Sequence, residues 1–272
     1  MLELLKAILF GIVEGITEWL PVSSTGHLIL LEEFIHLDVS PAFYELFQVV
    51  IQLGAIIAVL VLFFHKLWPF SLKKTTQEKK DTWTLWFKVV VAVLPSAVLG
   101  LLFDDFLDQH LYNHVVVALM LIVYGVAFLL AERKAGMPKI GDVQAIDYKT
   151  ALFIGLFQCL SLIPGTSRSG ATILGALLLG VSRSAGAEFS FFLAIPTMLG
   201  ASALKLVKFL LEGNLPTQNE LLILLTGCVV SFVVSILVIR ALMDFVRRHS
   251  FAPFGIYRII LGIAVLAWFA LA

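Results

Sequence analysis

The chain has 272 residues, 60% hydrophobic and only 14% charged, with a mean hydropathy of +1.00. A soluble globular chain is roughly half apolar and about a quarter charged, so the composition excludes an ordinary soluble domain. Nineteen Lys and Arg balance nineteen Asp and Glu, which removes the bulk electrostatic case for nucleic acid or another polyanion as a partner.

Taken in chain order, the apolar segments fall at about 2–31, 43–64, 83–103, 113–131, 151–181, 187–211, 220–243 and 251–272. Six of them read as simple spans, since about 20 apolar residues cross a bilayer. The segment 2–31 is broken by Pro21-Val-Ser-Ser-Thr-Gly-His27 and the segment 151–181 by Pro164-Gly-Thr-Ser-Arg-Ser-Gly170. The N-terminal stretch is too long for a signal peptide and leads into these polar residues instead of a cleavage site. Cys159 and Cys228 lie in apolar segments, which speaks against a structural disulfide.

The fold class expected is all-α, a polytopic membrane protein with six transmembrane helices and two re-entrant helical hairpins in an inverted-topology repeat. Arm length and loop charge carry that reading. The arms 151–163 and 171–181 would rise about 20 and 16 Å as helices, short of a hydrocarbon core of about 30 Å. With both broken segments re-entrant, the loops 65–82, 132–150, 182–186 and 244–250 share one side and carry twelve Lys and Arg, against none in 32–42, 104–112 and 212–219. Such an excess marks the cytoplasmic side, and both termini then face outward. Gly11-Ile-Val-Glu14…Pro21-Val-Ser23-Ser24 aligns with Gly155-Leu-Phe-Gln158…Pro164-Gly-Thr166-Ser167 if one gap is allowed, and Phe47 with Phe189. Residues 1–272 are therefore read as one membrane domain, with halves of about 1–131 and 151–272 joined by the loop 132–150. Broken helices in inverted repeats mark a binding site near the midplane.

The breaks concentrate polar groups where lipid is expected: Glu14, Glu18, His27 and Arg168, with Ser23, Ser24, Thr25, Ser167, Ser169 and Thr172. At roughly 3 kcal/mol per buried charge, they would cost on the order of 10 kcal/mol if uncompensated. A lone Arg168–glutamate pair would be enough to stitch two hairpins together, and the set exceeds that need. Glu14 and Glu18 stand at i and i+4, on one helical face, and so can share a divalent cation. The sequence Gly165-Thr-Ser-Arg-Ser-Gly170 offers backbone N–H groups at a helix start, and Arg168 adds a planar fork for phosphate oxygens. Ser24 and His27, three residues apart, suit a nucleophile with its base, or a water-positioner with an acid. Together these point to a phosphorylated ligand.

Other polar residues read more plainly. Lys88, Lys205 and Lys208 lie near span ends and are expected to snorkel. Gln52 is a candidate cavity-lining residue, and Arg258, more deeply embedded, is a candidate second phosphate contact, with a carbonyl or acid as its favoured partner. Trp68, Trp83 and Trp86 suit the inner interface. The histidines at 36, 65, 110, 114 and 249 read as surface residues.

Glu14-x-x-x-Glu18 with Pro21-Val-Ser23-Ser24-Thr25-Gly-His27, followed by Pro164-Gly-Thr-Ser167-Arg168-Ser169-Gly-Ala-Thr172, resembles the undecaprenyl-diphosphate phosphatase, or bacitracin-resistance, family. The resemblance runs through the Phe47–Gly54 and Glu188–Pro196 stretches as well. It implies hydrolysis of undecaprenyl diphosphate to the monophosphate carrier lipid in a bacterial plasma membrane. It also implies a divalent cation, Mg²⁺ or Ca²⁺, held by Glu14 and Glu18, and a site open to the outer face. Glu14, Glu18, Ser24, His27 and Arg168 would be catalytic, with Ser23, Thr25, Ser167, Ser169, Thr172 and Gln52 contacting substrate. The nucleophile, Ser24 or activated water, stays open. Membrane lipids are expected partners, and a homodimer is allowed. A transporter or flippase of a phosphorylated polyprenyl lipid is the competing class, because broken-helix repeats also serve transport.

Overall fold

The computed structural model describes residues 1–111 and 113–271, with their side chains except at positions 104–106, 108 and 109. It is all helical, with no β-strand among the described residues. The helices are α1 (Leu2–Thr17), α2 (Ser24–Phe34), α3 (Pro41–Leu62), α4 (Phe64–Leu67), α5 (Thr76–Leu111), α6 (His114–Lys134), α7 (Tyr148–Cys159), α8 (Arg168–Leu178), α9 (Arg183–Leu211), α10 (Gln218–Val246) and α11 (Ala252–Leu271).

Six helices are long and apolar enough to cross a membrane: α3, α5 (over Thr76–Phe103), α6, α9, α10 and α11. They coincide with the six expected spans. The boundaries shift outward where local chemistry extends a helix. Ser40 and Ser182 cap α3 and α9 with their hydroxyls, and Thr217 with Glu220 forms a reciprocal capping box on α10. The segment 104–112, expected as a loop, continues α5 to Leu111; its side chains at 104–106, 108 and 109, and residue 112, lie outside the described residues.

The broken segments form two helix–break–helix units, α1–α2 and α7–α8, whose second helices each contain 11 residues. Their packing is interlaced. α1 lies against α10 and α7 against α5, while α3 meets α9 and α6 meets α11. Glycines set the closest approaches. A Cβ on Gly155 would run into the backbone of Ala92, and one on Gly11 would sit 2.7 Å from the Gly227 carbonyl. Gly125 and Gly255 meet reciprocally, each would-be Cβ falling 2.6 and 2.8 Å from the other's carbonyl oxygen. Small residues at these crossings let helix backbones touch, which is how helices associate without a hydrophobic driving force in lipid.

The register of the internal match is corrected by the caps. Ser23 and Ser167 are the N-caps of α2 and α8, at φ 73 and 72, and their hydroxyls accept from Gly26 N and Gly170 N at 3.2 and 3.1 Å. Ser23 therefore corresponds to Ser167, and Ser24 to Arg168. The pairing of Ser24 with Ser167 came from aligning Pro21 with Pro164. Backbone geometry, and not the prolines, sets the equivalence, and no gap is then needed from Gly11 to Gly26.

Candidate active site between two broken helices

Both breaks point at one another. Arg168, the first residue of α8, donates from Nη2 to Glu18 Oε1 at 2.9 Å, the two side chains being 9% and 5% exposed. Its Nη1 donates to the Ser190 carbonyl at 2.6 Å and to Ser190 Oγ at 3.2 Å. Its guanidinium also lies 5.8 Å from the centroid of the Trp19 ring. The other Glu18 oxygen accepts from Ser24 Oγ at 2.7 Å. Glu18 thus joins Ser24 of one break to Arg168 of the other.

Second contacts lock this arrangement. Ser169 Oγ lies 3.0 Å from the Glu18 carbonyl and 3.2 Å from that of Leu20, satisfying backbone freed where α1 ends. Thr172 Oγ1 lies 2.9 Å from the Arg168 carbonyl and 2.6 Å from Ser190 Oγ. Beneath both tips sits Arg258, 0% exposed. Its guanidinium donates to the carbonyls of Pro21, Gly165 and Thr166 at 3.0, 2.8 and 2.9 Å, and to Leu121 and Met120 at 3.4 and 3.3 Å. Arg258 therefore pairs with carbonyls, as expected, and ties both breaks to α6. Irregular backbone at membrane depth needs such internal partners.

The pair Glu14 and Gln158, equivalent in the two halves, differs in a telling way. The Gln158 amide is satisfied by Ser96 Oγ at 2.7 Å and Thr197 Oγ1 at 3.2 Å. Both carboxylate oxygens of Glu14 are buried with no hydrogen-bond partner among the described residues. A buried, unpaired carboxylate is costly unless a cation or proton reaches it. With Glu18 one turn on, the donors are hard oxygens of the kind that Mg²⁺ and Ca²⁺ take. Among the described residues no set of three or more His, Cys, Asp or Glu gathers as a metal cage, so other oxygens would have to complete such a shell.

A cavity of about 260 Å³ opens beside the charged pair, lined in part by Glu18, Ser24, Thr25, Gln52, Ser167 and Arg168. Gln52 lines it, as its position in the sequence suggested. His27 is placed differently from its expected partnership with Ser24. Its Nδ1 lies 2.7 Å from the Ser23 carbonyl and its Nε2 2.6 Å from the Tyr257 hydroxyl, with the two rings stacked at 5.6 Å. Both ring nitrogens of His27 are engaged by these two partners, and the Ser24 hydroxyl donates to Glu18.

Three contributors escaped sequence reading. Ser190 is a small polar residue within Glu188-Phe-Ser-Phe-Phe192, and that isolated polarity inside a span was the available signal. Tyr257 carried none, since its partner His27 is 230 residues away. Lys205, expected to snorkel near a span end, also lines the cavity. Lys88 is 7% exposed, and its ammonium donates to the Gln144 carbonyl, in the loop 132–150, at 2.9 Å.

Fold and site together define a polytopic membrane protein that gathers carboxylates, an arginine and hydroxyls between its apolar helices. The family model described as bacitracin resistance protein BacA matches residues 7–264, and the chain belongs to that family. Among its relatives, the undecaprenyl-diphosphatase of Enterococcus faecalis (strain ATCC 700802 / V583) is 59% identical over 268 residues, covering 98% of this chain and 97% of the relative. The undecaprenyl-diphosphatase of Acetivibrio thermocellus is 58% identical over 271 residues, covering 99% and 98%. Undecaprenyl-diphosphatase 1 of Clostridioides difficile (strain 630) is 59% identical over 271 residues, covering 100% and 98%.

Proposed function

We propose that this chain hydrolyses undecaprenyl diphosphate to undecaprenyl phosphate and inorganic phosphate, and so recycles the carrier lipid for cell-envelope synthesis. The observation that carries the reading is the Ser24–Glu18–Arg168 chain of contacts, 2.7 and 2.9 Å long, on the wall of a cavity between apolar helices. A nucleophilic hydroxyl, an acceptor for its proton and a fixed cation converge there, beside the unpartnered Glu14 carboxylate.

In this reading the α1–α2 hairpin dips in from the outer face and α7–α8 from the cytoplasmic face, with both termini outward in the plasma membrane. The excess of Lys and Arg in the loops joining the spans at one end supports that orientation. The polyprenyl tail lies among the spans and the diphosphate enters the cavity. Arg168 grips the terminal phosphate through its planar fork, and the N–H groups at the start of α8 add donors. Ser23, Thr25, Ser167, Ser169, Thr172 and Gln52 shape and line the tips around it. Glu14 and Glu18 would hold Mg²⁺ or Ca²⁺, which when bound neutralises phosphate charge.

Ser24 Oγ attacks the terminal phosphorus as its proton passes to Glu18. The bond from that phosphorus to the bridging oxygen breaks, and undecaprenyl phosphate leaves with the electron pair. Glu18 hands the Ser24 proton to the departing undecaprenyl phosphate. Water then attacks the phosphoserine, giving a proton to Glu18, and Glu18 returns it to Ser24 Oγ as the bond from that oxygen to phosphorus breaks and inorganic phosphate departs. His27 is a positioning residue here: its bonds to the Ser23 carbonyl and to Tyr257 hold the first turn of α2.

The test is phosphate release from undecaprenyl diphosphate by the purified protein, with Mg²⁺ or Ca²⁺ and with a chelator. Release that depends on the cation supports the reading. Absence of release at any cation concentration overturns it and leaves transport of the lipid as the better account.

A further inference from the structure

We propose that the cavity where α8 turns into α9 is a binding site for an anionic phospholipid, whose phosphate sits among Lys134, Lys139, Arg183 and Arg247. The cavity holds about 640 Å³. Its four cationic side chains come from four places in the chain: the end of α6, the loop before α7, the start of α9 and the residue that caps the end of α10. Among the described residues no acidic side chain lines it. The site is apart from Glu18 and Arg168 and does not depend on the phosphatase reading.

Backbone contacts hold these cations in place. Lys139 N and Ile140 N donate to the Gly180 carbonyl at 2.8 and 3.1 Å, and Ser182 N donates to the Ile140 carbonyl at 2.8 Å. The loop is thereby strapped across the α8–α9 turn, where Gly180 has φ 81. Arg183 is oriented by Glu132, to which it donates from Nε at 2.9 Å and also from Nη2, so Nη1 is left for a further acceptor. Arg247 pairs loosely with Asp244 at 3.5 Å. Neither the Lys134 nor the Lys139 ammonium has a hydrogen-bond or ion-pair partner among the described residues.

Lysines gathered at one end of a membrane protein are ordinary, but a solvated rim does not enclose a cavity with an apolar wall. This one includes Leu177, Leu178 and Leu179, and Leu178 is 56% exposed. Leucines beside unpaired cations match an amphiphile, with an acyl chain against the former and a phosphate diester against the latter. A soluble anion would leave the leucines facing water. Three spans, α6, α9 and α10, have an end at this cavity, which is where lipid headgroups stand, and basic pockets between spans recognise anionic headgroups.

The experiment titrates the full-length protein in detergent with phosphatidylglycerol and reads the thermal midpoint, which rises when a ligand binds the folded state. Phosphatidylglycerol is expected to raise the midpoint saturably, and phosphatidylcholine to leave it unchanged. Lys134→Gln/Lys139→Gln should weaken the apparent affinity roughly thirtyfold, the loss of two basic contacts to an anionic headgroup, while its midpoint in phosphatidylcholine stays at the wild-type value. Lys134→Arg/Lys139→Arg keeps the charge and should stay within about threefold of wild type. Lys73→Gln/Lys80→Gln, at two exposed lysines outside the cavity, controls for general surface attraction and should do the same. Lys139→Glu replaces the first glutamine pair if that protein does not fold. The proposal is overturned if phosphatidylcholine stabilises as well as phosphatidylglycerol, or if the two glutamine pairs weaken affinity equally. It is also overturned if inorganic phosphate reproduces the shift, which would make the cavity a site for a soluble anion.

Discussion

Arg168 and Glu18 lie 150 residues apart in the chain and meet at 2.9 Å between the tips of two broken helices. Neither tip is a complete site alone. Glu18 and Ser24 come from the first and Arg168 from the second, with Arg258 holding the backbone of both.

Ser24 gives up its hydroxyl hydrogen bond to Glu18, which makes it the nucleophile of the proposed path. Ser24→Ala is expected to lower kcat at least a hundredfold, the range for loss of a catalytic group, with the thermal midpoint kept. Acid quench of wild type within the first turnovers should trap phosphate on Ser24. Near-normal turnover of the alanine variant would mean that water attacks directly.

Ser23 and Ser167 hold positive φ, 73 and 72, without being glycine, at a backbone cost of about 1–2 kcal/mol each. Each recovers part of this by capping its helix, worth about 1 kcal/mol. Ser167→Ala keeps the strain and loses the cap, whereas Ser167→Gly loses the cap and relieves the strain. Thermal unfolding should therefore rank wild type and Ser167→Gly close together, with Ser167→Ala roughly 1 kcal/mol less stable.

Arg258 satisfies five carbonyls and has no carboxylate partner among the described residues. Arg258→Met strands carbonyls at both breaks, and a loss of at least about 1–3 kcal/mol is expected, the cost of leaving a buried acceptor unsatisfied. Arg258→Lys, with three donors on a point charge, should recover only part. Detergent-solubilised stability of the three proteins checks the order, and equal stability would remove Arg258 as the tie.

Gly125 and Gly255 allow α6 and α11 to touch backbone to backbone. Gly125→Leu must push these helices apart, with an expected loss of roughly 1–3 kcal/mol or more as overpacking. The loss is read as a lower thermal midpoint. Gly136→Leu, where a new Cβ meets nothing within 4 Å, is the control and should leave the midpoint unchanged.

The spans were legible in the sequence because about 20 consecutive apolar residues have few other uses. The breaks were legible because proline, glycine and charge interrupt those runs. The residue register between the halves was not, since Pro21 and Pro164 match in type while the caps Ser23 and Ser167 match in conformation. The partnership of His27 with Tyr257 was equally hidden, because it depends on how α11 packs beside α2 and not on spacing within either.

In the proposed path the two breaks form one catalytic unit. Phosphate release should be measured for Glu18→Gln, Arg168→Gln and the double variant, each with its folded fraction determined. Groups that act as a unit are strongly non-additive. Each single change is expected to lower kcat/KM by about a hundredfold or more, and the double by little beyond that. Full activity in either single variant, or losses that simply multiply in the double, would contradict the account.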